Sequence, residues 1–220
     1  MRLYLSSYRL GNQPHKLVEP VSPAGSGKRR ALVIANACDL LSDADRKFRV
    51  EREKADLEGL GFEAEELDLR RHCQDGGDED NFRALLTNVS LVWSRGGNAF
   101  VLLRAMRQSG FATPLLDALA ADTLVYGGYS GGIAVLAPTL RGIELVNDPI
   151  AVPPGLDPAT PWEGFGLIPF SVAPHYKSPH PASPGIDEVV RYFEAHSMPY
   201  KTLRDGEAWI RSGDREAIVS

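Results

Sequence analysis

Cysteine is almost absent: Cys38 and Cys73 are the only two among 220 residues. No disulfide framework can therefore hold the fold, and both side chains are expected as free thiols in a reducing compartment. Long apolar runs are missing too, since the longest, around residues 31–37 and 165–173, fall well short of the ~20 residues that span a bilayer. Residues 1–10 carry Arg2 and Arg9 around a short Leu-Tyr-Leu stretch but lack the apolar centre and small-residue cleavage site of a secretory signal. A cytoplasmic location is the expectation. Positive charge is in deficit, with 24 Lys and Arg against 29 Asp and Glu and a formal net charge of −5. A surface that tracks phosphates is thus not expected, and neither nucleic acid nor a membrane is an expected partner.

What the chain does have is ordinary globular usage, 43% hydrophobic and 24% charged, in a length that suits one domain spanning 1–220. Arg2–Ser6 and residues 31–37, 63–69, 89–94, 123–127 and 165–172 read as strands, several of them continuous apolar runs of the kind a parallel sheet buries on both faces. Between them, residues 43–61, 80–87, 99–108, 114–121 and 186–196 carry apolar residues at helical spacing, and 208–219 reads as a hairpin turning at 212–214. The alternation predicts an α/β fold, three layers (α/β/α) around a largely parallel central sheet, with functional residues at the carboxyl ends of strands. The proline-rich stretch 149–164 is read as an excursion from that domain, because candidate site residues lie on both sides of it.

Gly128-Tyr129-Ser130-Gly131-Gly132 fits G-x-S-x-G and sits between a buried strand and an apolar helical segment. The pattern needs a sharp turn that lifts the serine Oγ out of the sheet, with small neighbours so that strand and helix can approach. Ser130 is accordingly the candidate nucleophile; a glycine-rich turn that cradles a phosphate is the competing reading. A serine nucleophile needs a base in reach and a group that orients the base. Of the five histidines, His175 alone follows a predicted strand directly, with His180 as the reserve. For the orienting acid, Asp148 and Glu144 both lie between Ser130 and His175 in the chain, and Asp148 in its Asn-Asp-Pro turn could instead make only a local hydrogen bond. Acyl transfer also needs backbone donors for an oxyanion. Arg95-Gly96-Gly97-Asn98 follows the strand 89–94 and precedes a helix, which makes the amides of Gly97 and Gly131 the candidates.

Taken together, Gly96-Gly97-Asn98 with Phe100 and Leu103, Tyr129-Ser130-Gly131-Gly132 with Pro138-Thr139-Leu140-Arg141, Asn147-Asp148, and Gly166-Leu167-Ile168-Pro169-Phe170 leading to Pro174-His175-Tyr176 cover most of the chain. In this order they resemble the peptidase E (aspartyl dipeptidase) group of serine peptidases, whose fold is similar to the class I glutamine amidotransferases. The resemblance implies Ser130 as nucleophile, His175 as base, Asp148 as acid, and short peptides, typically dipeptides with an N-terminal aspartate, as substrates. The chain departs from the group's pattern twice. Gly131 stands where an alanine usually follows the nucleophile, and Pro184-Gly185-Ile186-Asp187-Glu188 replaces an arginine-bearing Gly-Glu-Thr-Arg-Glu stretch. Arg95, with Asn98 beside it, is the substrate-binding candidate that the sequence offers in its place.

Other signals carry less. Gly25-Ser26-Gly27-Lys28 lacks the upstream glycine and the following Ser or Thr of a phosphate loop. Asp75, Asp78, Glu79 and Asp80 lack calcium-loop spacing, and His72-Cys73 lacks further ligands, so neither a metal nor another cofactor is expected. The reading is a serine peptidase acting on a small peptide, with self-association left open. Its rivals are a cyanophycinase-like hydrolase of β-aspartyl peptides and a catalytically silent binding domain that holds a small anion.

Overall fold

The structure is a computed structural model and describes residues 1–19, 21, 29–73 and 77–220. The glycine-rich stretch 25–28 and Asp75 lie outside the described residues.

In chain order the elements are β1 (Arg2–Ser6), α1 (His15–Val18), β2 (Arg29–Ile34), α2 (Asp43–Glu58), β3 (Phe62–Glu66), α3 (Glu79–Leu86), β4 (Leu91–Ser94), α4 (Ala99–Gln108), α5 (Ala112–Ala120), β5 (Val125–Tyr129), α6 (Gly131–Ala134), β6 (Ser171–Ala173), α7 (Ser183–Ala195), β7 (Tyr200–Thr202), β8 (Ala208–Ser212) and β9 (Arg215–Val219). Seven strands form the main sheet in the order β3-β2-β4-β5-β1-β8-β9. The first five run parallel, and β8 and β9 add an antiparallel hairpin at one edge. The predicted α/β class with a largely parallel sheet is what the chain adopts.

The apolar runs are long because the inner strands β2, β4 and β5 are buried on both faces, and successive side chains point to opposite ones. Leu32, Ile34, Val92 and Tyr126 join one core with α4, α5 and α6. Their neighbours Ala31, Val33, Leu91, Trp93 and Val125 join a second core, with Tyr4, Leu17 and Leu57, on the opposite face.

One strand departs from expectation. The predicted strand 165–172 is replaced by the short β6, Ser171–Ala173, which pairs with β7, not with the main sheet. Residues 165–168 are taken instead by the backbone around Val135–Ala137, to which Phe165, Gly166, Leu167 and Ile168 donate hydrogen bonds. The excursion 149–164 contains no helix or strand. It is gathered around Arg104 of α4, which is 4% exposed and donates to the carbonyls of Pro149 (2.7 Å), Ala151 (2.9 Å) and Ala159 (3.2 Å). Among the described residues no helix is long and apolar enough to cross a membrane.

Candidate active site

Two glycine-rich turns meet where β4 and β5 end side by side. Ser130, directly after β5, has φ 52° and ψ −125°, a conformation that L-residues rarely adopt and that costs about 1–3 kcal/mol unless surroundings enforce it. The enforcement is visible. A Cβ on Gly132 would stand 2.2 Å from the Ser94 carbonyl oxygen, and one on Gly131 would stand 2.2 Å from that of Gly97, so the turn can close only with glycine at both positions. Tyr126 adds a hydrogen bond of 2.6 Å from its hydroxyl to the Gly132 carbonyl. The chain's departure to glycine at 131 thus has a steric cause in the neighbouring loop.

The β4 turn is fixed from its other side. Asn98 caps α4, its Oδ1 accepting from the Phe100 and Val101 amides at 2.9 and 3.2 Å, while its Nδ2 donates to the Asp148 carbonyl at 2.8 Å. Both ends of the Asn98 side chain are therefore occupied in holding the loop, and it does not line the cavity beside Ser130. Asn147 does, and its Oδ1 accepts from the Ala99 amide at 2.8 Å. Among the described residues, the Gly97 and Gly131 amides have no protein acceptor.

His175 follows β6, as its sequence position implies, and lies beside Ser130 on the wall of one cavity of about 310 Å³. It is 2% exposed and has φ 62°, a second strained backbone in the same site. Its Nδ1 lies 2.7 Å from Oδ1 of Asp205. The carboxylate at the imidazole is thus neither Asp148 nor Glu144. The Asp148 side chain is exposed and accepts from the Ile150 amide at 3.0 Å, the local turn bond that its Asn-Asp-Pro context allows. Glu144 sits on a short 3₁₀ turn (Ile143–Leu145) packed against α7, and its Oε2 is buried without a hydrogen-bond partner.

Asp205 is held in turn. Its amide donates to Ser178 Oγ at 2.8 Å, and its Oδ1 lies 2.9 Å from Ser7 Oγ, which also accepts from the His175 amide at 2.8 Å. Burial pulls the His175 pKa below its ordinary 6.5; Asp205 opposes that shift, and the neighbouring His180 adds to it. His180, the reserve base, lies on the same cavity wall, and the Tyr8 ring meets both imidazoles edge-on, at 5.9 and 5.4 Å.

The sequence reading missed Asp205 because the short strand β7 was not recognised. Once Tyr200–Thr202 is seen as a strand parallel to β6, Asp205 falls just past its carboxyl end, beside the end that carries His175.

Arg95 lines the cavity but is 5% exposed; one Nη is engaged by protein, and its Nε is buried without a hydrogen-bond partner. One Nη donates to the Gly96 carbonyl and lies 2.6 Å from Cys38 Sγ, and Nε is 3.4 Å from Glu53 Oε1. Glu53, 1% exposed, is the hub of this wall: it also accepts from Tyr129 Oη at 2.8 Å and Trp93 Nε1 at 3.0 Å. Arg95 is therefore a structural cation under the cavity floor, not the exposed substrate contact that its sequence position suggested. Among the described residues no group of three or more His, Cys, Asp or Glu side chains is placed to hold a metal ion.

The fold is shared with solved structures. A crystal structure from Listeria monocytogenes EGD-e superposes with a TM-score of 0.76 at 22% identity, covering 99% of this chain and 97% of that one. That of a peptidase from an acI-B1 actinobacterium gives a TM-score of 0.69 at 19% identity, covering 100% and 87%. In sequence the chain is 35% identical over 155 residues to peptidase E of Streptomyces coelicolor, covering 67% of this chain and 58% of that protein. It is 32% identical over 143 residues to a Drosophila melanogaster protein named probable alpha-aspartyl dipeptidase, covering 61% and 55%. The chain thus matches a little over half the length of these two relatives. The model of peptidase family S51 matches residues 22–219, a stretch that takes in the Ser130 turn, His175 and Asp205 together, and the chain belongs to that family.

Proposed function

We propose that the protein is a serine peptidase that hydrolyses short peptides, dipeptides with an acidic N-terminal residue foremost, through an acyl-enzyme. The observation that carries this reading is that Ser130, at positive φ on a strand end, and a buried His175 line one cavity, with His175 Nδ1 2.7 Å from Asp205. The names of the Streptomyces and Drosophila relatives support the substrate class.

In this mechanism Asp205 accepts a hydrogen bond from Nδ1–H and fixes the tautomer that leaves Nε2 free to act as base. His175 Nε2 takes the Ser130 hydroxyl proton as Oγ attacks the scissile carbonyl. The carbonyl oxygen becomes an oxyanion, which the Gly97 and Gly131 amides receive without desolvating a charge of their own. The imidazolium then returns the proton to the departing amine, the C–N bond breaks, and a serine ester remains. Water, deprotonated by the same imidazole, attacks the ester; as the ester C–O bond breaks, the imidazolium returns that proton to Oγ, which frees the acid product and restores Ser130. No cofactor is required by any step.

The test is covalent labelling of Ser130 with a fluorophosphonate, together with dipeptide hydrolysis by the wild type, Ser130→Ala and His175→Ala. Each substitution should lower kcat by roughly three or more orders of magnitude while the fold survives. Near-normal turnover by folded Ser130→Ala would remove the nucleophile and the reading with it.

A further inference from the structure

Arginines at 46, 49 and 52 recur every third residue along α2, so they share one face of the helix. Their surroundings differ sharply. Arg46 is buried and ion-paired on three sides, with Asp39 at 2.8 Å, Glu66 at 2.6 Å and Asp68 at 3.4 Å, although one Nη makes no hydrogen bond. Arg49, half-buried one turn further on, has no carboxylate partner among the described residues. Arg52, 28% exposed, meets Glu53 Oε1 at 3.3 Å and the Tyr129 side chain, and its Nε is buried without a hydrogen-bond partner. Both Arg49 and Arg52 line the cavity that holds Ser130 and His175, and among the described residues no carboxylate lines it with them.

The charges around this cavity do not balance. Arg49, Arg52 and Arg95 stand on its wall, and the nearest anion, Glu53, is a single charge behind that wall. Glu53 is also engaged with Tyr129 and Trp93, so it has little left for Arg52 once Arg95 has drawn close. Two guanidinium groups therefore face one cavity, with Glu53 behind them and Asp205 turned to His175, an arrangement that favours an anion from outside.

We propose that Arg49 and Arg52 form a subsite that binds a carboxylate of the substrate. This rests on the peptidase reading given above and adds the residues that select for charge. The planar guanidinium fork suits a carboxylate held by paired hydrogen bonds, and its permanent charge makes it insensitive to pH in the working range. A dipeptide has two possible sources of that carboxylate, the acidic side chain of its first residue and its free C-terminus. The subsite takes over the task that the sequence assigned to Arg95, whose guanidinium is buried in the cavity floor.

The experiment is titration calorimetry of Ser130→Ala protein, which cannot turn over, with Asp-Leu and Asn-Leu, each as the free acid and as the C-terminal amide. Arg49→Met, Arg52→Met and Arg52→Lys are added in the same background, with folding checked by thermal melting. Charge-assisted hydrogen bonds of this kind are expected to make the preferred carboxylate peptide bind at least ~10-fold tighter than its neutral counterpart. Arg49→Met and Arg52→Met should each erase most of that preference, and Arg52→Lys should keep part of it. Loss of the Asp-over-Asn preference assigns the subsite to the side chain; loss of the acid-over-amide preference assigns it to the C-terminus. The proposal is overturned if the variants bind all four peptides with the wild-type preferences, if they weaken all four by the same factor, or if the Arg-intact protein binds none. Fluorophosphonate labelling of the Ser130-containing protein is independent of these bindings. Failure to label with carboxylate preference intact would sink the peptidase reading and leave the subsite standing.

Discussion

His180 lies flat on His175: their rings are 7° from parallel, with centroids 3.7 Å apart. The stack closes one face of the candidate base to water, and charge on the neighbouring ring discourages a proton on His175. Since only neutral His175 can act as base, the wild-type kcat/KM should rise with pH through an apparent pKa below 6.5 and stay on its plateau at mildly acid pH. His180→Ala removes both the cover and the neighbouring charge, so the acid limb should move up towards 6.5 with an activity loss of about tenfold or less. His180→Phe keeps the cover without the charge and should fall between the two. A pH–rate profile of all three proteins checks this, and an acid limb unmoved by His180→Ala would show that the stack has no electrostatic role.

Asp205→Asn keeps the shape of the side chain but presents an amide to His175 Nδ1, 2.7 Å away, and favours the wrong tautomer. It should cost about two to four orders of magnitude in kcat with little change in KM. Asp148→Asn retains an acceptor for the Ile150 amide, and Glu144→Gln lies away from the cavity. Both should stay within about tenfold of the wild type. Steady-state kinetics of the three variants decides between the carboxylates, and parity between Asp205→Asn and Asp148→Asn would refute the assignment.

Arg104→Met would leave the Pro149, Ala151 and Ala159 carbonyls without their shared donor. A loss of about 2–5 kcal/mol in unfolding free energy is expected, the cost typical of a truncated buried charge whose partners stay behind. Urea denaturation measures it, and limited proteolysis should then cut first within 149–164. A stability within about 0.5 kcal/mol of the wild type, the range of an ordinary surface substitution, would mean that the excursion holds itself together.

The parallel sheet was readable because its inner strands are buried twice over, and double burial writes itself as unbroken apolar runs such as Ala31, Leu32, Val33 and Ile34. The Ser130 turn was readable because a strained, crowded backbone admits few residue types, and the glycines beside it record each close approach. His175 was found by the same logic of strand ends. The acid was not. Asp205 follows a three-residue strand, Tyr200–Thr202, whose side chains are only half-buried, too short and too mixed to leave a periodic signal. Asp148 carried the stronger local pattern, but that pattern belongs to an Asx turn. The burial of Arg95 was equally invisible, because Glu53 lies 42 positions earlier in the chain, and only the packing of α2 under β4 brings the two together.

Nucleophile and base do not belong to one sheet. Ser130 rides on β5, whereas His175 and Asp205 stand at the ends of β6 and β7, a separate pair of strands. Ser7, at the end of β1 beside β5, touches both the His175 amide and the Asp205 carboxylate. Ser7 is thus one joint between that pair and the frame carrying the serine, beside the Tyr8 ring, which meets both Tyr129 and His175, and the packing of β6 on α6. Wear at this joint would spare the bond between base and acid and lengthen only the gap to be crossed by the proton, so the protein's activity can be tuned, or lost, by alignment alone with every reacting group still in place.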